Sequence, residues 1–258
     1  DSPCRWPRRI RAASCPRAPR RGAEPDGPLI ETPTFLLRLG QAQVVPWVEA
    51  HCMRVIPCFL LMAASWAAPA AAEVLLIGAG DIAKCGPRLE NAEATARLLD
   101  DLFLAPGGGR REGVVFTLGD NVYPRGRATE FARCYEPTWG RHKAFTRPAV
   151  GNHEYRSSGA GPYFEYFGGA AGEAGKGYYS YDIGPWHVVV LNTDCAHAGG
   201  CGPGSAQQRW LRDDLAAHPR PCTIAYGHHP RFSSGKHGAK KSMIPVFETL
   251  YEHGVELL

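Results

Sequence analysis

Val114-Val115-Phe116-Thr117-Leu118-Gly119-Asp120-Asn121-Val122-Tyr123 is the stretch that decides the reading of this chain. A β-branched, apolar run ending in Gly-Asp predicts a strand with a carboxylate just past its carboxyl end, where open α/β sheets assemble their sites. One such Asp is more often a turn residue than a ligand, because Gly and Asp both favour turns. The pattern recurs, however. Leu75-Leu76-Ile77 leads to Gly80-Asp81, Pro148-Ala149-Val150 to Gly151-Asn152-His153, and Thr223-Ile224-Ala225-Tyr226 to Gly227-His228-His229. Turn formation gives no reason for Asn-His and His-His at equivalent places. Four strand-like runs, each followed by Gly and a metal-capable side chain, point to one polynuclear metal site.

Around these runs, strands and helices alternate. Strands are expected at 73–78, 113–118, 147–150 and 222–226, and a hairpin at 178–183 and 186–191 turns on Gly184-Pro185. Helices are expected at 90–103, with Ala94, Leu98, Leu99 and Leu102 inward, and at 129–135. Two more are expected at 205–215, capped by Ser205 with Trp210, Leu211 and Leu215 on the inner side, and at 241–253, before Gly254. Residues 155–177 read as a long loop with a helical turn at 163–167, its aromatic residues packing into the core. Parallel βαβ units mixed with a hairpin predict an α/β fold with mixed sheets. A further strand opens at Val255, and the sequence ends at Leu258.

Composition restricts the rest. Of 258 residues, 1–72 hold nine Arg against five acidic residues, whereas 73–258 hold twenty basic and twenty acidic residues. The net charge of +4 therefore belongs to the leader, and no nucleic-acid surface is expected. Residues 1–52 lack apolar periodicity and read as unstructured, or as a spurious upstream extension. Residues 53–72 read as a signal peptide: Met53-Arg54, an apolar stretch, then Ala70-Ala71-Ala72 before Glu73. Pro57 and Pro69 interrupt that stretch, which is shorter than the ~20 residues a span needs, so no stable membrane insertion is expected after cleavage.

A secreted or periplasmic location permits disulfides. Cys85 with Cys134 would tie two site loops together, and Cys195 with Cys201 would close a Gly-rich turn. Cys222 reads as simply buried, the odd one of five; the pairing itself stays open.

Asp120 offers two oxygens to two cations, which at roughly 3.5–4 Å apart can clamp a phosphoryl group. Tyr123 adds a hard phenolate oxygen, Asp81 a carboxylate, Asn152 an amide oxygen and His228 an imidazole. That donor set suits hard or borderline ions and disfavours soft ones.

Over residues 74–258 these motifs resemble the calcineurin-like metallophosphoesterases, and the purple acid phosphatases most closely. The family's Gly-Asp, Gly-Asp-x-x-Tyr, Gly-Asn-His-Asp/Glu and strand-ending His stand here as Gly80-Asp81, Gly119–Tyr123, Gly151-Asn152-His153-Glu154 and Ile224–His228. The wider family's Asp-x-His is missing at Asp81-Ile82-Ala83, and Tyr123 takes that histidine's place, as in purple acid phosphatases.

The resemblance implies a four-layer αββα sandwich. It further implies a binuclear centre with Fe(III) held by Asp81, Asp120 and Tyr123, and with Fe, Zn or Mn held by Asp120, Asn152 and His228. The implied reaction is hydrolysis of phosphate monoesters on a phosphorylated small molecule, by in-line attack of a metal-bound hydroxide. His153 and His237 are implied as catalytic and substrate-contacting histidines. A final Gly-His-x-His motif, which would add one imidazole to each ion, is not present through Leu258, and the sequence is expected to continue. A phosphodiesterase on the same scaffold, or a non-catalytic extracellular metal-binding domain, remains the alternative.

His142, His187, His197, His218 and His253 sit in no motif and read as surface or structural. His229 reads equally as packing or chemistry. Amino-terminal sequencing of the exported protein is expected to begin at Glu73; a soluble product retaining the leader would contradict the signal peptide.

Overall fold

The structure, a computed structural model, describes residues 35–39, 74–104, 108–109 and 111–255. In chain order the strands are β1 (Phe35–Leu39), β2 (Val74–Ala79), β3 (Ala83–Lys84), β4 (Gly113–Leu118), β5 (Val122–Tyr123), β6 (Thr146–Ala149), β7 (Tyr179–Ile183), β8 (Trp186–Val190) and β9 (Cys222–Tyr226). The α-helices are α1 (Leu89–Phe103), α2 (Ala128–Glu130, continuing as a π turn to Tyr135), α3 (Gly161–Phe167), α4 (Ala206–Ala217) and α5 (Ile244–Glu252). The first sheet runs β1-β2-β4-β6, with β2, β4 and β6 parallel and β1 antiparallel to β2. The second runs β7-β8-β9, an antiparallel hairpin joined to a parallel strand.

Strand periodicity stacks the layers. Side chains alternate across a strand, so Leu75 and Ile77 face α1 while Leu76 faces the other sheet. In β8, Val188 and Val190 meet Leu76, Phe116 and Ala149 between the sheets, and Val189 packs on the far side with Leu211 of α4 and Val246 of α5. Three apolar clusters thus separate four layers, helix, sheet, sheet and helix, as the resemblance implies. Both sheets are mixed, as the sequence pattern predicts.

Several expectations change. Residues 35–39 form β1, which pairs along β2 from Phe35 opposite Gly78 to Leu39 opposite Val74, whereas the sequence pattern predicts no element before residue 53. An apolar run, Phe35-Leu36-Leu37, finds an open sheet edge there. The signal-peptide reading of 53–72 falls outside the described residues, as does the continuation of the strand expected from Val255. In α1 the buried residues are Ala92, Ala96, Leu99 and Phe103, whereas Leu98 is exposed and Ala94 faces solvent. Small alanines let the helix lie close on the sheet, a face that weighting large apolar residues misplaces.

Residues 155–177 form 3₁₀ turns and α3 rather than an open loop, and Tyr163, Phe164 and Phe167 enter the core as expected. The helix expected from Lys241 begins as a 3₁₀ turn and becomes α5 at Ile244. Ser205 caps α4 by accepting from the Gln208 N–H, as its sequence position predicts.

Cys85 pairs with Cys134, and Cys195 with Cys201. Cys222 is buried and also disulfide-bonded, so it is not the unpaired thiol of an odd set. Reckoning from residues 73–258 alone leaves out the four cysteines ahead of them.

The placement of α1 is open to a direct test. Leu99→Ala should cost about 2–5 kcal/mol by urea denaturation, the usual range for a buried Leu. Leu98→Ala should stay within about 0.5–1 kcal/mol of wild type. A reversal of that order would mean that α1 presents the other face.

Candidate metal centre

Every candidate ligand lies at the carboxyl end of a strand, and backbone pairing gathers the loops. The N–H groups of Asp81, Ile82 and Ala83 donate to the carbonyls of Gly119, Asp120 and Asn121, so the loop after β2 runs alongside the loop after β4. β3 and β5 continue that alignment, and the Cys85–Cys134 bridge lies just beyond it. Asp81 and Asp120 both adopt left-handed backbone, with φ of 55° and 50°. Asp tolerates this region better than most residues but still at a cost of order 1 kcal/mol or more, and such residues cluster at functional sites.

Two glycines make room. A Cβ on Gly151 would lie 2.2 Å from Asp120 Oδ1, and one on Gly119 would lie 2.7 Å from the His228 Cβ. Any side chain at either position would push the loops apart.

Asp120 is the hub. It is 2% exposed; its Oδ1 accepts from the His153 N–H at 2.9 Å and its Oδ2 accepts from Tyr123 Oη at 2.9 Å. Tyr123 Oη also forms a short contact with Asp81 Oδ1, so one phenol bridges two carboxylates. On the other side His228 Nε2 lies 3.4 Å from Asp120 Oδ1 and 3.1 Å from Asn152 Oδ1. His228 Nδ1 donates to the Leu118 carbonyl at 2.7 Å, which fixes the ring and aims Nε2 at those oxygens. His153 Nδ1 donates to the Pro124 carbonyl at 2.8 Å, its ring packs 4.4 Å from the Tyr123 ring, and its Nε2 is 3.7 Å from Asp120 Oδ2.

The charges agree with a site built for cations. Burial opposes the charge on Asp120, yet His228 and the His153 N–H hold its carboxyl below the usual range. Burial likewise disfavours a charged His228, but the hydrogen bond and charge of Asp120 outweigh it and lift the imidazole to about 9. Burial, and then Asp120 and Asp81, hold the Tyr123 phenol far above its ordinary value. The phenol proton shared by two carboxylates, and the imidazole nitrogen turned toward two acceptor oxygens, mark where cations would sit. Asp81, Asp120 and Tyr123 converge on one side of the hub, with Asn152 and His228 on the other, and this oxygen-rich set fits hard or borderline ions.

Five of the seven residues expected from the sequence meet here as metal-capable donors, and His153 stands beside them. His237 is exposed on the loop after β9 and, among the described residues, makes no hydrogen bond or ion pair with the site. His229 is held by Thr193, whose hydroxyl accepts from its N–H at 2.8 Å and contacts its Nδ1 at 3.0 Å. Burial, and then the neighbouring His228, push His229 down to about 4.

Two residues given no role from sequence support the site. Glu154 is fully buried: Oε1 accepts from the N–H groups of Asn121 and Val122, and Oε2 from that of Gly151, so one carboxylate clamps two ligand loops together. Burial and the nearby Asp120 raise its carboxyl to about 7. Asn192, after β8, ties Tyr155 Oη and the Lys176 carbonyl under the third loop. The sequence signal for Glu154 is its place as the last residue of the Gly151-Asn152-His153-Glu154 motif, which does not say what its carboxylate holds.

The calcineurin-like phosphoesterase family matches residues 74–258, and the chain belongs to that family. It is thereby placed among metal-dependent phosphoesterases, a class of hydrolase. No curated protein matches the chain. Among solved structures it is similar to a purple acid phosphatase, PPD1, isolated from yellow lupin (Lupinus luteus) seeds. The TM-score is 0.49 and the identity 16%, covering 71% of this chain and 38% of that one. The chain therefore spans well under half the length of that protein.

Replacing Glu154 by Ala leaves three buried N–H groups without their acceptor. Each such orphan costs ~1–3 kcal/mol, so the chemical denaturation midpoint should fall by the equivalent of at least about 3 kcal/mol. A change within about 0.5 kcal/mol would mean the clamp is idle.

Proposed function

We propose that this chain hydrolyses phosphate monoesters at a binuclear metal centre, as an acid phosphatase of the purple type exported from the cytoplasm. The observation that carries this reading is Tyr123 Oη set on both Asp81 and Asp120 in place of a histidine after Asp81. A phenolic oxygen between two carboxylates favours a strongly Lewis-acidic trivalent ion, and Fe(III) is the one we assign. Asp120, Asn152 and His228 would hold a second ion, Fe, Zn or Mn. Such a pair supplies Lewis acidity and an acidified water for in-line displacement at phosphorus.

The chain's own residues do the rest. Asp120 keeps its charge while buried because His228 and His153 compensate it. His228 is locked by Leu118 and presents Nε2 inward. His153, anchored through Nδ1 to Pro124, holds Nε2 at the hub, where it can hand a proton to the departing alkoxide. His237 is assigned to the outer rim, as a contact for the substrate. Two disulfides between described residues support an oxidising, extracytoplasmic location.

Full-length protein loaded with iron should show a visible charge-transfer band that Tyr123→Phe abolishes. It should also hydrolyse aryl monoesters faster than bis-aryl diesters. His153→Ala should lower kcat about 10²–10⁴-fold on alkyl phosphates, the usual contribution of a positioned acid, and far less on p-nitrophenyl phosphate, whose leaving group needs no proton. Faster diester cleavage would assign the chain as a phosphodiesterase. Absence of all hydrolysis in metal-replete protein would leave a binding domain.

A further inference from the structure

His187 stands where the alternation of β8 calls for an apolar residue. It shares a face with Val189, which packs on α4, yet it is an imidazole only 1% exposed. Opposite it, Asp214 lies on the inner side of α4 with the buried Leu211 and Leu215, and His218 follows four residues on as the C-cap of that helix. Burying His187 and Asp214 is costly unless each finds a partner.

The partners are specific. Asp182 Oδ1 lies 2.9 Å from His187 Nδ1, while the other Asp182 oxygen takes the Arg220 guanidinium. His187 Nε2 in turn lies 2.8 Å from Asp214 Oδ2, so the two ring nitrogens face two carboxylates. A neutral imidazole donates through only one nitrogen, and the other then faces a carboxylate across a position that a proton or a metal cation completes. Ser180 Oγ donates to the other Asp214 oxygen at 2.7 Å and so orients the carboxylate. His218 Nδ1 lies 2.8 Å from the Asp214 backbone carbonyl oxygen and 3.4 Å from Asp214 Oδ1, and its ring stacks 4.6 Å from that of His187. Each of the three residues offers a ligand atom within 4.8 Å of the others.

We propose that His187, Asp214 and His218 form a second metal site, separate from the phosphoesterase centre, for a divalent transition ion of the Zn²⁺ class. Two imidazoles and one carboxylate suit a borderline ion better than Mg²⁺ or Ca²⁺. Asp182 plays the outer partner that orients a ligating imidazole through its second nitrogen. The site lies at the opposite end of the sheet from the hub. His187 pairs with Thr223, five residues ahead of His228, which is ~16 Å along an extended strand. An ion there would pin the last turn of α4 to the β7–β8 hairpin.

The test titrates the full chain with Zn²⁺ alone. Wild type should take up one equivalent more than His218→Ala, and Zn²⁺ should raise its thermal midpoint more than that of the variant. His218 has a side chain 42% exposed, so its replacement leaves the core intact. Asp182→Asn should keep the equivalent but weaken it about 10–100-fold, as loss of an outer partner does. An Asp120→Asn background, which disables the phosphoesterase centre, should retain the difference, so the two sites are read separately. Equal stoichiometry in wild type and His218→Ala would overturn the proposal and leave a hydrogen-bonded network around a proton.

Discussion

A carboxylate that is 2% exposed and charged must be answered from every side, and the loops around Asp120 are shaped by that demand. Tyr123 reaches it from its own turn, His153 through a backbone N–H, and His228 from the other sheet. The approach is so close that Gly151 and Gly119 admit no side chain. Backbone of positive φ at Asp81 and Asp120 is the cost of turning two acids toward one point.

The sandwich exists to bring that point together. β4 and β9 belong to different sheets, and the apolar layer between them sets how near their carboxyl ends can come. Phe116 and Tyr226 fill that layer with rings 5.2 Å apart, and Tyr226 Oη donates to the Arg147 carbonyl at 2.8 Å. Just past these contacts, His228 Nδ1 bonds to the Leu118 carbonyl. A core mutation in this layer would therefore move His228 without touching it. Glu154 performs the same service within the first sheet, since one carboxylate accepts from both the second and the third ligand loops.

Buried polar groups in this chain occur in two places of different character. At the hub, oxygens and an imidazole converge on one another with few protons to share. Around His187 the polar atoms are already paired, Nδ1 with Asp182 and Nε2 with Asp214. Low dielectric makes both arrangements strong when complete and costly when not.

Much of this was legible in the residues alone. A strand followed by Gly and a metal-capable side chain is a local pattern, so Asp81, Asp120, Tyr123, Asn152 and His228 could be named with their strands as candidates, and the alternation of elements indicated mixed sheets. Other features were not legible, because they depend on distances through space. The clamp by Glu154 joins backbone groups more than thirty residues away, and the cluster at His187 joins a hairpin to a helix. The inward face of α1 was decided by how closely alanines let it approach the sheet, and the role of β1 by an open edge. Local sequence determined which atoms could bind a cation; only the packed sheets decided which of them meet, because nothing in a chain's order specifies the gap between two layers.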